Sequence, residues 1–155
     1  MRQGNQVLSR KALAAPELSS QQVARLAGIT RRQLDWWCLR GYVRPYRRPA
    51  FRFQQHDIVE IMILARLRTL GLAIKPLVRK VLRLANAEGS EALLILIDGQ
   101  TPAIRKFRKS SSRAEAIVAM NEHHGPVLFL DLADMRDRAE RALFPESLGT
   151  RVTLS

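Results

Sequence analysis

The run from Leu18 to Pro45, LSSQQVARLAGITRRQLDWWCLRGYVRP, constrains the fold of this chain more than any other stretch. Ser19 and Thr30 are each followed three residues later by a glutamine, which is the pattern of a capped helix start. Gly28 lies between the two starts, and glycine ends a helix at little cost because it tolerates a positive φ. The run therefore predicts two short helices joined by a tight turn.

The second of these helices has an apolar side suited to packing against the first. Leu34, Trp37 and Cys38 are spaced i, i+3, i+4, so they lie on one helical face. Gly41 is expected to end the helix, and Pro45 cannot continue it. Two capped helices across a glycine turn are typical of a helix-turn-helix unit.

The polar side of the second helix begins with Arg31, Arg32 and Gln33. Cations in a first turn oppose the helix dipole, so these residues are not placed for helix stability. The first residues of a recognition helix reach base edges, where arginine pairs with guanine and glutamine with adenine. This pattern favours DNA recognition, and the alternative is a basic face that only contacts solvent.

Net charge is distributed unevenly along the 155 residues, which are enough for one domain or two small ones. Residues 1–90 contain 17 Lys and Arg against 5 Asp and Glu, whereas residues 91–155 contain 9 against 9. The whole formal charge of +12 therefore lies in the part with the two capped helices. A concentrated positive field suits a polyanion and makes binding strongly salt-dependent.

The segment from Tyr42 to Phe53, YVRPYRRPAFRF, alternates arginines with aromatic residues. Prolines at 45 and 49 argue against a central strand and favour a short edge hairpin or a loop. Such a segment can act as a wing that holds phosphates or enters the minor groove, and the alternative is that its arginines keep an exposed edge soluble. Its candidate DNA-binding residues are Arg44, Tyr46, Arg47, Arg48 and Arg52.

Two further helices are predicted at 54–70 and at 74–85, and the second carries a basic face that is more often solvated than bound to DNA. Turn residues at 86–90 then break the chain. Beyond them we expect a three-stranded sheet with two helices. Strand 93–97 and strand 101–107 are joined by an Asp98-Gly99 turn. A helix capped by Ser112 and Glu115 then runs to Met120 and is followed by strand 127–132 and helix 134–144. Such a sheet has exposed edges, and a second copy of the chain can cover one of them.

Residue types that support catalysis, metal binding or membrane insertion are scarce. Cys38 is the only cysteine, which excludes an intrachain disulfide and fits a reducing cytoplasm. The pair His123-His124 diverges on a helix, and of His56 and its acidic neighbours at 57 and 60 only two can share a face. No apolar run is long enough to span a bilayer or to form a signal peptide. We therefore expect a cytoplasmic protein that is not an enzyme and that has no metal, cofactor or membrane partner.

The residues from Leu18 to about Leu82 resemble the DNA-binding domain of MerR-family transcription regulators. The matching motifs, in order, are VARLAGIT, LDWW, RGYVRP, FRF and RLRTLGL. This resemblance implies a winged helix-turn-helix that acts as a homodimer on a pseudo-palindromic operator. Carried over to this chain, the family's DNA contacts fall on Arg31, Arg32, Gln33, Trp36, Arg47 and Arg48.

The chain departs from the MerR pattern at two places. Asp35 stands where the family usually has an arginine that helps hold the DNA backbone, so that contact is not carried over, and Asp35 can instead orient a neighbouring arginine. Typical members also continue into a long helix that pairs as an antiparallel coiled coil. Here the break at 86–90 removes that dimer seam, and we expect residues 91–155 to replace it.

Together these patterns predict a mostly α chain with a small α+β second domain. The expected parts are a flexible basic arm (1–16), a winged helix-turn-helix (17–86) and an α+β domain for dimerisation, an effector or a partner (91–155). The expected function is sequence-specific binding of double-stranded DNA as a homodimeric regulator, with RNA polymerase or another protein as a possible further partner. The alternatives are an antitoxin-like or adaptor module that binds protein, and a DNA-bending or recombination accessory protein of low sequence specificity.

Overall fold

The structure is a computed structural model that describes residues 16–46, 50–69, 74–98, 101–107 and 112–145. These residues form an α+β fold with six helices and two antiparallel sheets. In chain order the elements are β1 (Leu18–Ser19), α1 (Ser20–Ala27), α2 (Arg31–Leu39), β2 (Arg52–Phe53), α3 (Gln55–Thr69), α4 (Ile74–Ala85), β3 (Ala92–Asp98), β4 (Thr101–Phe107), α5 (Ser112–Glu122), β5 (Val127–Asp131) and α6 (Leu132–Leu143). Among the described residues, no helix has the length and apolar character needed to cross a membrane.

The two capped helices predicted from the sequence are present as α1 and α2. The Ser19 hydroxyl accepts a hydrogen bond from the Gln22 amide, and the Gln22 side chain accepts one from the Ser19 amide at 2.9 Å. Gly28 ends α1 with a φ of 72°, and the Thr30 hydroxyl starts α2 by accepting from the Gln33 amide at 3.1 Å. Helix α2 ends at Leu39 with Arg40 as its C-cap, and Gly41 terminates it as expected, with a φ of 78°.

Helix α3 is the centre of the core because its buried side chains point in every direction around its axis. A helix that is apolar all round must be covered on all sides. Contacts from α1, α4, α6 and strands β2 and β5 supply that cover. The expected apolar face of α2 also reaches this core, with Leu34, Trp37 and Cys38 buried.

The predicted three-stranded sheet with two helices is present in the second half. Its strand order is β4-β3-β5, and all neighbours are antiparallel. One face, with Leu93, Ile95 and Leu130, joins the main core. The other face, with Leu94 at its centre, is covered by Ala116 and Ala119 of α5.

The apolar core continues from the first half of the chain into the second. Helix α6 packs along α3, and the Arg136 guanidinium donates to the Ala85 carbonyl at 2.9 Å and to the Ser90 carbonyl at 2.7 Å. The Gln55 side chain in turn donates to the Arg136 carbonyl at 3.3 Å. The predicted break at residues 86–90 lies at a turn in the chain, and the apolar core extends across it.

One predicted helix start in the second half is wrong by two residues, and another falls at the predicted cap. Helix α5 begins at Ser112, and the side chain that was predicted to cap it lies outside the described residues. Helix α6 begins at Leu132 and not at Asp134, because the Asp131 side chain accepts from the Asp134 amide at 3.0 Å and caps the helix. Strand β5 therefore passes into α6 without a loop.

The segment predicted as an edge hairpin or a loop is, in its described part, a loop that ends in the short edge strand β2. Strand β2 pairs with β1, so that Leu18 faces Phe53 and Ser19 faces Arg52. The Tyr46 amide closes the loop by donating to the Arg52 carbonyl at 2.7 Å. Four expectations lie outside the described residues: the arm at 1–15, the candidate contacts Arg47 and Arg48, the end of the third helix at 70, and the turn residue Gly99.

Candidate nucleic-acid interface

The exposed face of α2 is organised as one row of side chains along the helix. Arg32, Trp36 and Leu39 are spaced i, i+4, i+7 and lie opposite the buried residues of the same helix. Trp36 is 45% exposed and Leu39 is 75% exposed. The next residue after Trp36 is Trp37, which is only 1% exposed, so the two adjacent indoles have opposite roles. The row therefore presents a guanidinium, an indole and an isobutyl group to solvent.

Charged and aromatic neighbours fix the two sides of this row. On one side, the Arg31 guanidinium lies 3.6 Å from the Asp35 carboxylate, one helical turn away. On the other side, the Arg40 guanidinium lies 5.4 Å from the centre of the Trp36 ring. The Tyr42 ring packs against the same indole, with centroids 5.8 Å apart. Cation–π and aromatic contacts of this kind orient an exposed indole.

Helix α2 forms a ridge between two recesses. The smaller recess, of about 320 Å³, is lined by Thr30, Arg32, Gln33 and Trp36. The larger recess, of about 430 Å³, lies toward β2 and is lined by Ser19, Ser20, Gln21, Arg31, Asp35, Leu39, Ala50, Phe51 and Arg52. This shape is complementary to a groove of DNA. The helix could enter the groove, and the two recesses could accommodate the groove walls.

The loop after α2 extends the basic surface. Arg44 and Tyr46 are exposed, as expected for residues that contact a ligand. Arg52 is half-buried instead of projecting outward, because β2 pairs with β1 and holds the residue beside the larger recess. Its Nε atom is buried and has no hydrogen-bond partner among the described residues. A buried donor of this kind normally has an acceptor, which a bound anion can supply.

The electrostatics of α2 favour a negatively charged partner. Its first turn contains no acidic residue, so the positive end of the helix dipole adds to Arg31 and Arg32. Asp35 is the acid that the sequence places on this face, and its pairing with Arg31 agrees with the expectation that it orients a neighbouring arginine. The face therefore keeps an excess of positive charge.

The histidine and carboxylate groups elsewhere make structural contacts. His56 Nε2 lies 3.1 Å from Glu60 Oε1, and Asn86 also donates to that oxygen at 3.2 Å. Asp57 accepts from the Gln54 amide at 3.0 Å, while burial raises its pKa more than this bond lowers it. His123 Nε2 lies 2.8 Å from the Ile97 carbonyl oxygen. Within the described ranges, no three His, Cys, Asp or Glu residues form a group that could hold a metal ion.

Sequence reasoning identified most of this surface and missed two of its residues. Arg31, Arg32, Gln33, Trp36, Arg44 and Tyr46 surround or extend the exposed row of α2. Leu39 and Arg40 were not singled out, although Leu39 falls seven residues after Arg32 and so lies on the same face. A helical projection of α2 would have revealed both.

No known protein-family model matches the chain, and a search of curated proteins also finds no match. The resemblance to MerR regulators therefore remains a prediction that depends on the motifs between Leu18 and Leu82.

Proposed function

We propose that this chain is a sequence-specific double-stranded DNA-binding transcription regulator of MerR type that acts as a homodimer. In this proposal α1 and α2 form the helix-turn-helix unit, α2 is the recognition helix, and the loop from Tyr42 to Phe53 serves as the wing. The observation that carries it is the row of Arg32, Trp36 and Leu39, which stands outward on a rigidly packed helix beside the exposed Arg31, Arg40 and Arg44.

The dimensions of α2 support insertion into the major groove. An α-helix with its side chains is about 10–12 Å across and the major groove is about 12 Å wide, so α2 fits the groove, and its nine residues extend about 13 Å along it. The buried Trp37 and Leu34 hold the helix against the core, so its exposed side chains keep a fixed orientation. Arg32 and Gln33, near the start of the helix, are the residues we assign to base edges.

The larger recess supports a phosphate contact beside the groove. It combines the first residues of α1 with Arg31 and Arg52, and amides at the start of a helix attract anions. The unpaired Nε of Arg52 is a donor that a phosphate oxygen can satisfy. We assign Arg44 and Arg52 to the DNA backbone, together with Arg47 and Arg48, which lie outside the described residues.

The proposed dimer forms through the second half of the chain, residues 91–155. Helix α4 has 12 residues, and its buried Leu77, Val78 and Val81 belong to the chain's own core, so they are not available for a coiled coil. Helix α5 instead exposes Ile117 and Val118. A second copy that covers this face would make a two-fold dimer, which suits an operator with two half-sites about 34 Å apart.

A selection of bound sites from a random pool of DNA duplexes tests the proposal with the full chain. We expect an enriched sequence with two-fold symmetry. Replacing Arg32→Ala is expected to relax the preference at one position of each half-site and to cost about 1–3 kcal/mol, since a bidentate base contact is lost. Replacing Arg44→Ala is expected to weaken all sequences alike and to lower the salt slope by about one.

Arg105→Ala is the matched control because this arginine is also exposed but lies on β4 in the half without net charge. We expect its DNA affinity and salt slope to equal those of the wild type. A pool that shows no enrichment would contradict sequence-specific binding. Equal loss of discrimination in the Arg32 and Arg44 variants would contradict the assignment of one to bases and the other to phosphates.

A further inference from the structure

The most exposed large apolar side chain on the basic surface is that of Leu39, at 75%. It lies one turn after Trp36 on the outward row of α2, and both side chains are exposed there. Trp36 contributes to folding only through its contacts with Arg40 and Tyr42, and Leu39 leaves most of its apolar surface in water in the centre of a cationic face. The two side chains are placed for contact with something outside the chain.

Charge decides which partner fits this apolar pair. Arg31 and Arg32 precede it, Arg40 lies over the Trp36 ring, and Arg44 follows in the loop. A protein or lipid partner would have to be strongly anionic around an apolar centre. Duplex DNA has this combination, because phosphates line both walls of the major groove and the C5 methyl groups of thymine project into its floor.

We propose that Leu39 and Trp36 read thymine through its C5 methyl group in the major groove, an inference that rests on the proposed DNA-binding function. Apolar side chains distinguish thymine from cytosine in this way because only thymine carries the methyl group. The guanidinium of Arg32 reads a neighbouring base by hydrogen bonds, so the same row combines polar and apolar recognition.

The spacing of the row sets where these thymines lie in the operator. Trp36 and Leu39 follow Arg32 by four and seven residues, which is about 6 Å and about 10 Å along the helix axis. One base step is about 3.4 Å, so a helix lying along the groove places them about two and about three base pairs from the base read by Arg32. Each half-site should therefore contain a thymine two to three pairs from that base, on either strand.

Deoxyuridine substitution tests the proposal without disturbing base pairing. In the selected operator each thymine is replaced in turn by deoxyuridine, which lacks only the methyl group, and the Kd of the full chain is measured by fluorescence anisotropy. We expect one or two thymines per half-site at which the loss of the methyl weakens binding by about three- to fivefold, as for the burial of one methyl-sized group.

Variants at Leu39 connect the effect to this side chain. Leu39→Ala should bind the unmodified operator about three- to fivefold more weakly than the wild type does. At one thymine position only, replacement by deoxyuridine should not weaken the binding of this variant further. Leu39→Met should keep that sensitivity because it preserves an apolar contact. Phe144→Ala is the matched control, since Phe144 is 43% exposed at the end of α6 and lies outside the proposed interface. It should behave as the wild type does.

The outcomes separate this inference from the proposed function. If the chain selects a specific duplex but no deoxyuridine position distinguishes the wild type from Leu39→Ala, thymine reading is wrong and DNA recognition stands. If no duplex is selected, both fail. Because Leu39 is exposed, its variants are expected to melt at the wild-type temperature, and a lowered Tm together with uniform loss of binding would also overturn the inference.

Discussion

Helices α2 and α5 both present apolar side chains to solvent, and they differ in the charges beside them. On α2, Trp36 and Leu39 are accompanied by arginines. On α5, Ile117 and Val118 are 52% and 54% exposed, and the exposed acids of the same helix are Glu115 and Glu122. Similar apolar exposure thus occurs beside several arginines on α2 and beside two acids on α5. The first face suits the proposed DNA partner, whereas the second suits the proposed contact with a second copy of the chain.

The inner sides of the two helices differ as well. Helix α2 buries Trp37 and Leu34 in the main core, while α5 contacts its sheet through the small residues Ala116 and Ala119. Large buried side chains fix the orientation of α2, as base recognition requires. The two small alanine side chains let α5 lie close to the sheet, but they bury little apolar area between the helix and the sheet. A partner that covers the outer face of α5 would therefore add to its stability.

The largest expected difference is in the free energy of unfolding between variants of the two adjacent tryptophans of α2. Trp37→Ala should lower the free energy of unfolding by about 3–5 kcal/mol, because it empties a buried site in the core. Trp36→Ala should cost folding less than about 1.5 kcal/mol, since the indole is exposed and loses only the contacts with Arg40 and Tyr42. Urea unfolding and DNA titration of both variants check this difference. A Trp36 variant that unfolds as easily as the Trp37 variant would show that the exposed row is structural.

The next effect concerns the apolar face of α5. Val118→Asp should convert the proposed dimer to a monomer, since it places a charge in the centre of the interface, and affinity for a two-site operator should fall by roughly tenfold or more as avidity is lost. Light scattering and DNA titration of the full chain measure the two quantities. Ala133→Asp, which adds the same charge at an exposed position on α6, should change neither. A wild-type chain that stays monomeric on DNA would contradict dimerisation through this face.

A smaller effect is expected at the ion pair of α2. Asp35→Asn should raise the affinity for all DNA sequences a few-fold at low salt, because it removes an acid from the basic face and releases Arg31. Its effect on folding should stay within about 1 kcal/mol, as for other exposed pairs. Asp137→Asn is the control, since Asp137 also pairs with an arginine one helical turn away, Arg141 of α6 at 2.7 Å, although here the acid comes first along the helix. Weaker binding of the Asp35 variant would instead mean that Asp35 positions Arg31 for its contact.

The smallest expected effect is the pH dependence of stability due to Asp57 in α3, the helix that packs against both halves of the chain. Burial raises the pKa of Asp57, so the folded chain holds this proton more tightly than the unfolded chain does. The contribution of Asp57 to stability therefore falls as the pH rises from its ordinary pKa through the raised one. Asp57→Asn does not titrate, so it should gain stability relative to the wild type over that window. Urea unfolding between pH 3 and pH 7 tests this, and a difference independent of pH would show that burial has no such effect.

Much of the local structure could be predicted because it depends on residues close together in the sequence. The caps at Ser19 and Thr30 and the bounds of α4 and β4 agree with their sequence patterns. The start of α6 was predicted two residues late because Asp131 both ends a strand and caps the helix that follows. The exposure of Leu39 was not predicted, although its spacing of seven residues from Arg32 places it on the outward face of α2.

The sequence by itself determined where the charge lies, where α1 and α2 begin and which tryptophan of the pair is buried. Each of these follows from neighbouring residues, from helical spacing or from composition. Only the tertiary structure decided that Leu39 stays uncovered, that Arg52 lies half-buried beside a recess, and that α6 packs on α3 so that both halves share one core. Burial depends on segments that are distant in the chain, and no local pattern specifies which of them will cover a given face.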